Sequence, residues 1–262
     1  MKHQGKVVII TGAGSPAPLQ DGTPGSIGYG IATAFAKEGA NLVITGRQVP
    51  KLEKAKAELE RLYGVKVLPV SADGGKEEDA KRVIEETVKE YGRIDVLINN
   101  AQNSASGVLL KDHTVADFDR AIYSGLYATF LLMRESYPYL KESKGSVINF
   151  ASGAGLFGRP AQSSYAAAKE GIRGLSRVAA TEWGPDGINV NIVCPLVMTD
   201  QLKQWKEAYP EAYAATIKGI PAGRMGDPEK DIGRTCVFLA SEDAKFISGE
   251  TITLQGGSGL RP

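Results

Sequence analysis

Short apolar runs rich in β-branched residues alternate with longer amphipathic stretches along this chain of 262 residues. The apolar runs occupy positions 6–11, 41–45, 65–70, 94–99, 146–150, 188–193 and 251–254. Several are apolar on both faces, as strands buried in a parallel sheet must be. Helical patterns lie between them at 29–38, 50–63, 76–91, 115–140, 163–183 and 228–241. The alternation predicts repeated βαβ units with right-handed crossovers.

We therefore predict an α/β fold, a Rossmann-type doubly wound parallel sheet of about seven strands in three α/β/α layers. No linker, low-complexity stretch or internal repeat interrupts the pattern, which predicts a single domain over residues 1–262. Sheets of this kind bind ligands beyond the carboxyl ends of their strands. We expect the functional site in the loops that follow Thr11, Thr45, Val70, Asn99, Phe150 and Val193.

Composition argues against several classes of partner. The 31 Lys and Arg against 30 Asp and Glu give a formal net charge of +1, without the basic excess of a nucleic-acid-binding surface. Nothing approaches the ~18 consecutive apolar residues of a membrane span, and the start "MKHQGKVVIITG" does not read as a signal peptide. Cys194 and Cys236 have no partner motif, and only two His are present. We expect reduced thiols in a cytoplasmic protein and no metal site.

The segment "TGAGSPAPLQDGTPGSIGYG", residues 11–30, predicts a dinucleotide-binding loop interrupted by extra residues. Gly12 follows the first strand, where such loops turn tightly. Ser26 and Ile27 open the next helix, whose free amides and dipole attract phosphate. The alternative is a surface turn of small residues. The excursion at 15–25 is rich in Pro and Gly, and we expect it to fold over the adenosine half of the ligand.

The end of the second strand, "VITGRQ", predicts which dinucleotide is bound. Sites that prefer NAD(H) usually place an acidic residue there to bind the ribose hydroxyls. Here Gly46 stands at that position and Arg47 follows. Since a guanidinium binds phosphate in a bidentate manner, we predict NADP(H), with NAD(H) as the alternative. An Arg that is merely solvated would leave this preference open.

Three residues predict acid–base chemistry beside the dinucleotide. "SSYAAAKEGIRGL" places Tyr165 and Lys169 four positions apart on a helix, hence on one face. A nearby ammonium stabilises a phenolate and brings the phenol closer to its working pH range. Ser152 follows the strand "SVINF", where its hydroxyl could bind a substrate oxygen. Together they are typical of a carbonyl reductase or alcohol dehydrogenase.

Motifs throughout the chain resemble those of the short-chain dehydrogenase/reductase family. They include "TGAG" after the first strand, "NNA" at 99–101, "SG" at 152–153, "YAAAK" at 165–169 and "VNIVCP" at 190–195. The resemblance implies that Tyr165 is the catalytic acid–base, that Lys169 binds the nicotinamide ribose, and that Ser152 orients the carbonyl. It also implies cofactor contacts from Asp73 to adenine, from Asn100 in the cleft and from Thr199 to the carboxamide.

The chain departs from the family pattern at three positions beyond the glycine loop. Gly125 in "SGLYATF" stands where the family has an Asn that supports a water in the proton relay. The relay then runs through Ser124 or a water on exposed backbone, or is dispensable. Gln102 replaces the last Gly of the usual "NNAG" motif, which adds a polar side chain at the mouth of the site. Leu196 makes the substrate loop more apolar.

A rival assignment comes from "SIGYGIA", which resembles the enoyl-acyl-carrier reductases of the same superfamily. Those enzymes use a tyrosine seven positions before the lysine. Counting back seven from Lys169 reaches Gln162. The spacing therefore favours carbonyl–alcohol chemistry.

The segment 196–225 is predicted to cover the active site as a lid. Its apolar residues recur at roughly helical spacing, which is also what packing of a lid helix against the body would require. We predict that it helps to line a broad apolar pocket for a bulky substrate. The candidate pocket residues are Gln102, Leu196, Met198 and Trp205.

Within the family, longer stretches such as "INNAQ", "NFASGAGLFG" and "AATEWG" resemble the bacterial 12α-hydroxysteroid dehydrogenases. That likeness implies reversible oxidation of the 12α-hydroxyl of bile acids, with NADP, in a homotetramer whose fourth and fifth helices and last strand lie at interfaces. Two alternatives remain. One is a reductase of another bulky ketone or another hydroxysteroid position, and the other is a non-catalytic dinucleotide sensor, which only Gly125 supports.

Overall fold

The computed structural model describes residues 1–14 and 26–259. In this part of the chain, seven strands form one sheet in the order β3-β2-β1-β4-β5-β6-β7, and every pairing is parallel. The strands are β1 Val7–Thr11, β2 Asn41–Gly46, β3 Val67–Ser71, β4 Val96–Asn99, β5 Ser146–Phe150, β6 Asn189–Pro195 and β7 Thr251–Leu254. The predicted Rossmann-type class is confirmed.

Helices cover both faces of the sheet. They are α1 Ile27–Lys37, α2 Val49–Tyr63, α3 Glu77–Tyr91, α4 Val115–Ala121, α5 Ala128–Ser143, α6 Gly153–Phe157, α7 Ser163–Trp183, α8 Asp200–Ala208, α9 Pro210–Lys218 and α10 Arg234–Leu239. One core joins α1, α2 and α10 to the sheet, and includes Phe35, Leu59 and Cys236. The core on the other face joins α3, α5 and α7. The result is three layers, as predicted.

The order of the strands reverses between β1 and β4. The chain lays β2 and β3 on one side of β1, then returns to place β4 on the other side. At such a switch point the two connecting loops leave the sheet in opposite directions and open a crevice at the carboxyl ends. Ile10 pairs with Ile98 just below that crevice.

Two of the predicted helices contain π-helical segments. Between α4 and α5, residues Ile122–Tyr127 form a π-helix, so 115–143 is one continuous but unevenly wound helix. A second π-helix, Pro228–Gly233, precedes α10. Such segments arise from tertiary packing and are frequent at functional sites. The hydrophobic periodicity of the sequence therefore does not predict where these π-helical segments lie.

Candidate active site

Glycine backbone, without side chains, forms the floor of the crevice at the switch point. Gly12 adopts φ +71°, in the left-handed region that glycine favours, and a Cβ on Gly28 would lie 2.2 Å from Gly12 O. Ser26 Oγ accepts a hydrogen bond of 3.2 Å from Tyr29 N and so caps the start of α1. The first amides of α1 point out of the helix without intrahelical acceptors. These features fit a phosphate-bearing dinucleotide.

The predicted cofactor residues from five separate loops meet in one cleft of about 440 Å³. Those that line it are Gly12, Ser26, Ile27, Arg47, Asp73, Asn100 and Thr199. Asn100 is held there because its Nδ2 donates to Thr11 O at 2.9 Å and its backbone N donates to Thr11 Oγ1 at 2.9 Å. Residues 15–25, predicted to fold over the adenosine half, lie outside the described residues.

Arg47 is exposed and lines this cleft. It forms no ion pair with residues 1–14 or 26–259. Thr199 also lines the cleft and is the N-cap of α8, where its Oγ1 accepts from Leu202 N at 3.4 Å.

A second cavity, of about 720 Å³, continues from the first. The two share five lining residues, Ile27, Asn100, Gln102, Asn103 and Thr199. Ser152, Tyr165 and Lys169 all line the second cavity. The structure therefore brings the three predicted catalytic side chains together beside the predicted dinucleotide groove.

Burial dominates the electrostatics of the tyrosine–lysine pair. Lys169 is 3% exposed and lies with its Nζ 5.5 Å from the centre of the Tyr165 ring. Desolvation lowers the pKa of Lys169 to about 7. It also raises the pKa of Tyr165, while the neighbouring Ser152 hydroxyl opposes that rise. Burial thus outweighs the lowering of the phenol pKa that we expected from the ammonium.

Ser152 is positioned by a helix that the sequence analysis did not identify. Its Oγ accepts from Ala154 N at 3.1 Å and caps the short helix α6. Because this bond uses an oxygen lone pair, the hydroxyl proton is left for a second hydrogen bond, and in this structure its partner is Tyr165. Five residues, Gly153 to Phe157, are too few for a clear helical period, so hydrophobic periodicity does not predict this helix.

Two of the four predicted pocket residues line the cavity and two do not. Gln102 and Leu196 line the cavity of the catalytic side chains, together with Leu202. Met198 and Trp205 are not among its lining residues. Trp205 instead packs edge-on against Tyr213, with ring centres 6.2 Å apart. That contact joins α8 to α9, so Trp205 packs the two helices of the segment 196–225 against each other.

Three cavity residues had not been singled out as pocket residues from the sequence. Arg159, Gln162 and Gln255 line the same cavity as Tyr165. Gln255 is 6% exposed, and its Nε2 donates to Cys194 O at 3.4 Å. Each belongs to a loop or helix end whose neighbours in space are distant in sequence. No local pattern marks such residues.

Among residues 1–14 and 26–259, no group of three His, Cys, Asp or Glu side chains could hold a metal ion. None of the helices in that part of the chain combines the length and apolarity needed to cross a membrane.

Comparison with known proteins supports the same chemistry. A family model described as Enoyl-(Acyl carrier protein) reductase matches residues 22–258. The chain is 64% identical over 262 residues, with 98% of each chain covered, to a 12alpha-hydroxysteroid dehydrogenase of Clostridium sp. (strain ATCC 29733 / VPI C48-50). The chain belongs to the short-chain dehydrogenase/reductase family. As a short-chain dehydrogenase/reductase it is an oxidoreductase that uses a nicotinamide dinucleotide.

More distant members of the family agree. A 3-oxoacyl-(acyl-carrier-protein) reductase of Thermotoga maritima is 33% identical, over 98% of this chain and 99% of its own. The crystal structure of levodione reductase superposes with a TM-score of 0.87 at 31% identity, over 97% of this chain and 98% of that one. Short-chain dehydrogenases/reductases with different substrates therefore share this whole architecture.

Proposed function

We propose that this protein is an NADP(H)-dependent 12α-hydroxysteroid dehydrogenase, which interconverts the 12α-hydroxyl and 12-ketone of bile acids. The 64% identity with the Clostridium enzyme across nearly the full length of both chains carries the proposal. The gathering of Ser152, Tyr165 and Lys169 in one cavity is consistent with it, because alcohol oxidation needs a base, a hydroxyl donor and a tuning cation at one place.

In the proposed reaction Tyr165 Oη takes the proton of the substrate hydroxyl during oxidation and returns it to the ketone oxygen during reduction. Ser152 Oγ donates a hydrogen bond to that same oxygen and holds it beside the phenol. Lys169, almost fully buried, anchors the ribose side of the groove and balances charge as the phenol deprotonates. The bound dinucleotide supplies the hydride acceptor or donor.

Support for NADP(H) comes from the end of β2. Gly46 offers no carboxylate to the ribose hydroxyls, and Arg47, which lines the cleft, forms no ion pair with the described residues. A carboxylate at this place would repel a phosphate, whereas Arg binds one in a bidentate manner. NAD(H) is the alternative, and the cofactor comparison in the assay below separates the two.

The cavity is lined mainly by polar side chains rather than by the apolar wall that the sequence predicted, but two of its features are consistent with an anionic steroid. Bile acids join a broad apolar ring system to a flexible anionic side chain. Leu196 and Leu202 line one wall, while Arg159 is exposed and lines the mouth. Arg159 has no ion pair with the described residues. We assign it the carboxylate of the substrate side chain.

Enoyl reduction, the reaction named in the description of the family model, fits the cavity less well. In enzymes of that type the tyrosine stands seven positions before the lysine, and Gln162 occupies that place here. Gln162 does line the cavity, but a carboxamide cannot act as the acid that protonates the enolate formed during enoyl reduction. The geometry therefore favours carbonyl–alcohol chemistry through Tyr165.

We also propose a homotetramer. The helix of residues 115–143 carries an exposed aromatic row, which comprises Phe118, Tyr123, Tyr127 and Phe130. A contiguous apolar patch of this kind is typical of a subunit interface. Sedimentation equilibrium tests the proposal, because a monomer at micromolar concentration contradicts it.

The deciding assay follows reduced nicotinamide with NADP or NAD and three bile acids offered separately. Cholate and deoxycholate carry the 12-hydroxyl, and chenodeoxycholate lacks it. We expect reduction of NADP with the first two only. Turnover of all three would move the reaction to a shared hydroxyl such as the 3-position. No turnover with any of them, despite dinucleotide binding, would favour another bulky ketone or a non-catalytic sensor.

A further inference from the structure

The helix that carries Tyr165, α7, begins without a side-chain cap of its own. Gln162 is its N-cap residue, and the Gln162 side chain makes no capping hydrogen bond. Ala166 N donates the first bond inside the helix, to Gln162 O at 2.7 Å. The end of a helix frays when nothing holds its first turn. Tyr165 lies in that turn, so the position of its phenol depends on what holds the turn.

The chain just before α7 is strained. Ala161 has a φ of +59°, in the left-handed region, which is unfavourable for a residue with a Cβ. A conformation of this kind persists only where the surrounding structure holds it. Ala161 lies between Arg159 and Gln162, which both line the catalytic cavity. The strained alanine therefore marks a place where the start of α7 is held by another part of the chain.

The loop between β4 and α4 supplies that hold. Gly107 N donates to Ala161 O at 3.0 Å, and Val108 forms a parallel bridge with Gln162. These two contacts reach only the residues that precede α7. His113, at the end of the same loop, contacts the helix itself.

His113 contacts the first turn of α7 with both nitrogens of its ring. Nε2 lies 2.8 Å from Ser164 Oγ, and Nδ1 lies 3.3 Å from Ser163 Oγ. A neutral imidazole has one donor and one acceptor, and a hydroxyl can take either role, so both hydrogen bonds can form at once. Ser164 is fully buried, so water does not compete for the shorter bond.

This contact lies next to the phenol but outside the cavity. Ser164 directly precedes Tyr165 in the chain. His113 is not among the residues that line either cavity, so it acts through the helix and not on the substrate. Proton transfer needs its partners within hydrogen-bond distance, and a displacement of about 1 Å can cost ~100-fold in rate. Whatever fixes the first turn of α7 therefore affects turnover.

We propose that His113 is a positioning residue, which holds the first turn of α7 so that the Tyr165 hydroxyl meets the substrate oxygen. The proposal rests on the acid–base role of Tyr165 proposed above. The bond to Ser164 provides most of the hold, because it is the shorter bond and is buried. Neither Ser163 nor Ser164 lines the dinucleotide groove, so binding of the dinucleotide should not depend on His113.

The first test compares three replacements of His113. His113→Leu removes both hydrogen bonds, and we expect kcat to fall by ~20-fold with an unchanged dissociation constant for the dinucleotide. The amide nitrogen of Gln reaches the place of Nε2, whereas that of Asn reaches the place of Nδ1. His113→Gln should therefore keep most of the kcat of the parent, and His113→Asn should resemble His113→Leu. A Leu variant with the kcat of the parent overturns the proposal, as does a Gln variant no better than the Leu variant.

The two serines test the same contact from the other side. Ser164→Ala removes the partner of Nε2, and we expect kcat to fall about as far as in His113→Leu. Ser163→Ala removes only the longer bond and should leave kcat close to that of the parent. His113→Leu combined with Ser164→Ala should cost no more than either change alone, because both remove one bond. Losses that add in the double variant contradict an action through Ser164.

His3 provides the matched control, since the chain has only two histidines. It is buried, and its Nε2 lies 2.9 Å from Val237 O, in a contact with α10. His3→Leu should lower the melting temperature and leave the kcat of the folded protein unchanged. If His3→Leu lowers kcat as much as His113→Leu does, the effect at His113 is one of general stability and the proposal is overturned.

Amide hydrogen exchange tests the hold without any substrate. Exchange over residues 163–168 reports on the start of α7. His113→Leu should make it faster, whereas His113→Gln and His3→Leu should leave it as in the parent. Unchanged exchange in His113→Leu overturns the proposal. If the parent turns over no bile acid, the proposed steroid function fails, while exchange still decides whether His113 holds the helix and any alcohol that is turned over decides the effect on kcat.

Discussion

Lys169 Nζ donates a hydrogen bond of 2.7 Å to Phe150 O, so a buried ammonium joins helix α7 to the last residue of β5. Ser152 lies two residues beyond that carbonyl, and Tyr165 lies one helical turn before the lysine. The bond therefore fixes the spacing between the serine and the tyrosine. It also holds a cation in a place where water cannot stabilise it.

Replacing this lysine should stabilise the dinucleotide-free protein while it abolishes activity. The pKa of Lys169 is about 7 in the folded protein, below its ordinary value of 10.5. Folding then disfavours the ammonium, and the parent loses stability as the pH falls from about 10.5 to about 7. Lys169→Met removes that loss. After subtraction of the lost hydrogen bond we expect a gain of about 2 kcal/mol at pH 7.

The pH dependence of the gain is the decisive measurement. The difference in unfolding free energy between variant and parent should level off below about pH 7 and decrease towards pH 10.5, where only the lost hydrogen bond remains and the variant becomes the less stable protein. Lys111→Met, at an exposed site, serves as the control and should change the unfolding free energy by no more than about 0.5 kcal/mol. A gain for Lys169→Met that is constant across this range would contradict a buried, shifted lysine.

Loss of the Tyr165 hydroxyl should nearly abolish turnover but leave the affinity for the dinucleotide unchanged. The phenol lines the catalytic cavity, and its proposed role needs only the oxygen. Tyr165→Phe is expected to lower kcat by ~1,000-fold, with the dissociation constant of the dinucleotide unchanged in a fluorescence titration. Tyr139→Phe, on the buried side of α5, serves as the control. Ordinary turnover by Tyr165→Phe would remove this tyrosine from the mechanism.

Much of the fold could be predicted because the hydrophobic pattern is local. Each of the seven predicted strands lies within two residues of its observed bounds, and α7 was placed at Ser163–Trp183 without error. A strand buried on both faces and a long amphipathic helix carry their own period. The predicted cofactor residues also lie together, because strand ends in a parallel sheet meet at one edge.

What the sequence did not show depends on contacts between distant segments. The π-helix at Ile122–Tyr127 exists with Gln102 packed against Gly125, and these residues are far apart in the chain. In the sequence, Gln102 and Gly125 appear only as two separate departures from the family pattern, with nothing to show that they are in contact. Arg159 likewise enters the cavity only because α6 and α7 fold against each other. Periodicity is insensitive to such arrangements.

Arg47 should determine the choice between the two dinucleotides. Arg47→Asp replaces a phosphate-binding cation with a group that repels phosphate and accepts from ribose hydroxyls. We expect kcat/KM for NADP to fall by ~100-fold and that for NAD to be kept or raised. Arg61→Asp, at the far end of α2, makes the same change of charge away from the groove. An unchanged ratio of kcat/KM for the two cofactors would refute the phosphate contact.

Arg159 should act on the charged end of the substrate alone. It is exposed at the mouth of the cavity and follows Gly158, whose φ of +61° turns the chain there after α6. Pairing with a partly exposed guanidinium contributes about 1 kcal/mol to the binding of a carboxylate, so Arg159→Gln should raise KM for cholate by ~5-fold and leave kcat unchanged.

The methyl ester of cholate is the control, because it lacks the negative charge, and parent and variant should turn it over equally well. High salt should narrow the difference for cholate itself. Equal KM values for cholate in parent and variant would place the carboxylate elsewhere, and an equal loss with the ester would show that Arg159 only shapes the cavity.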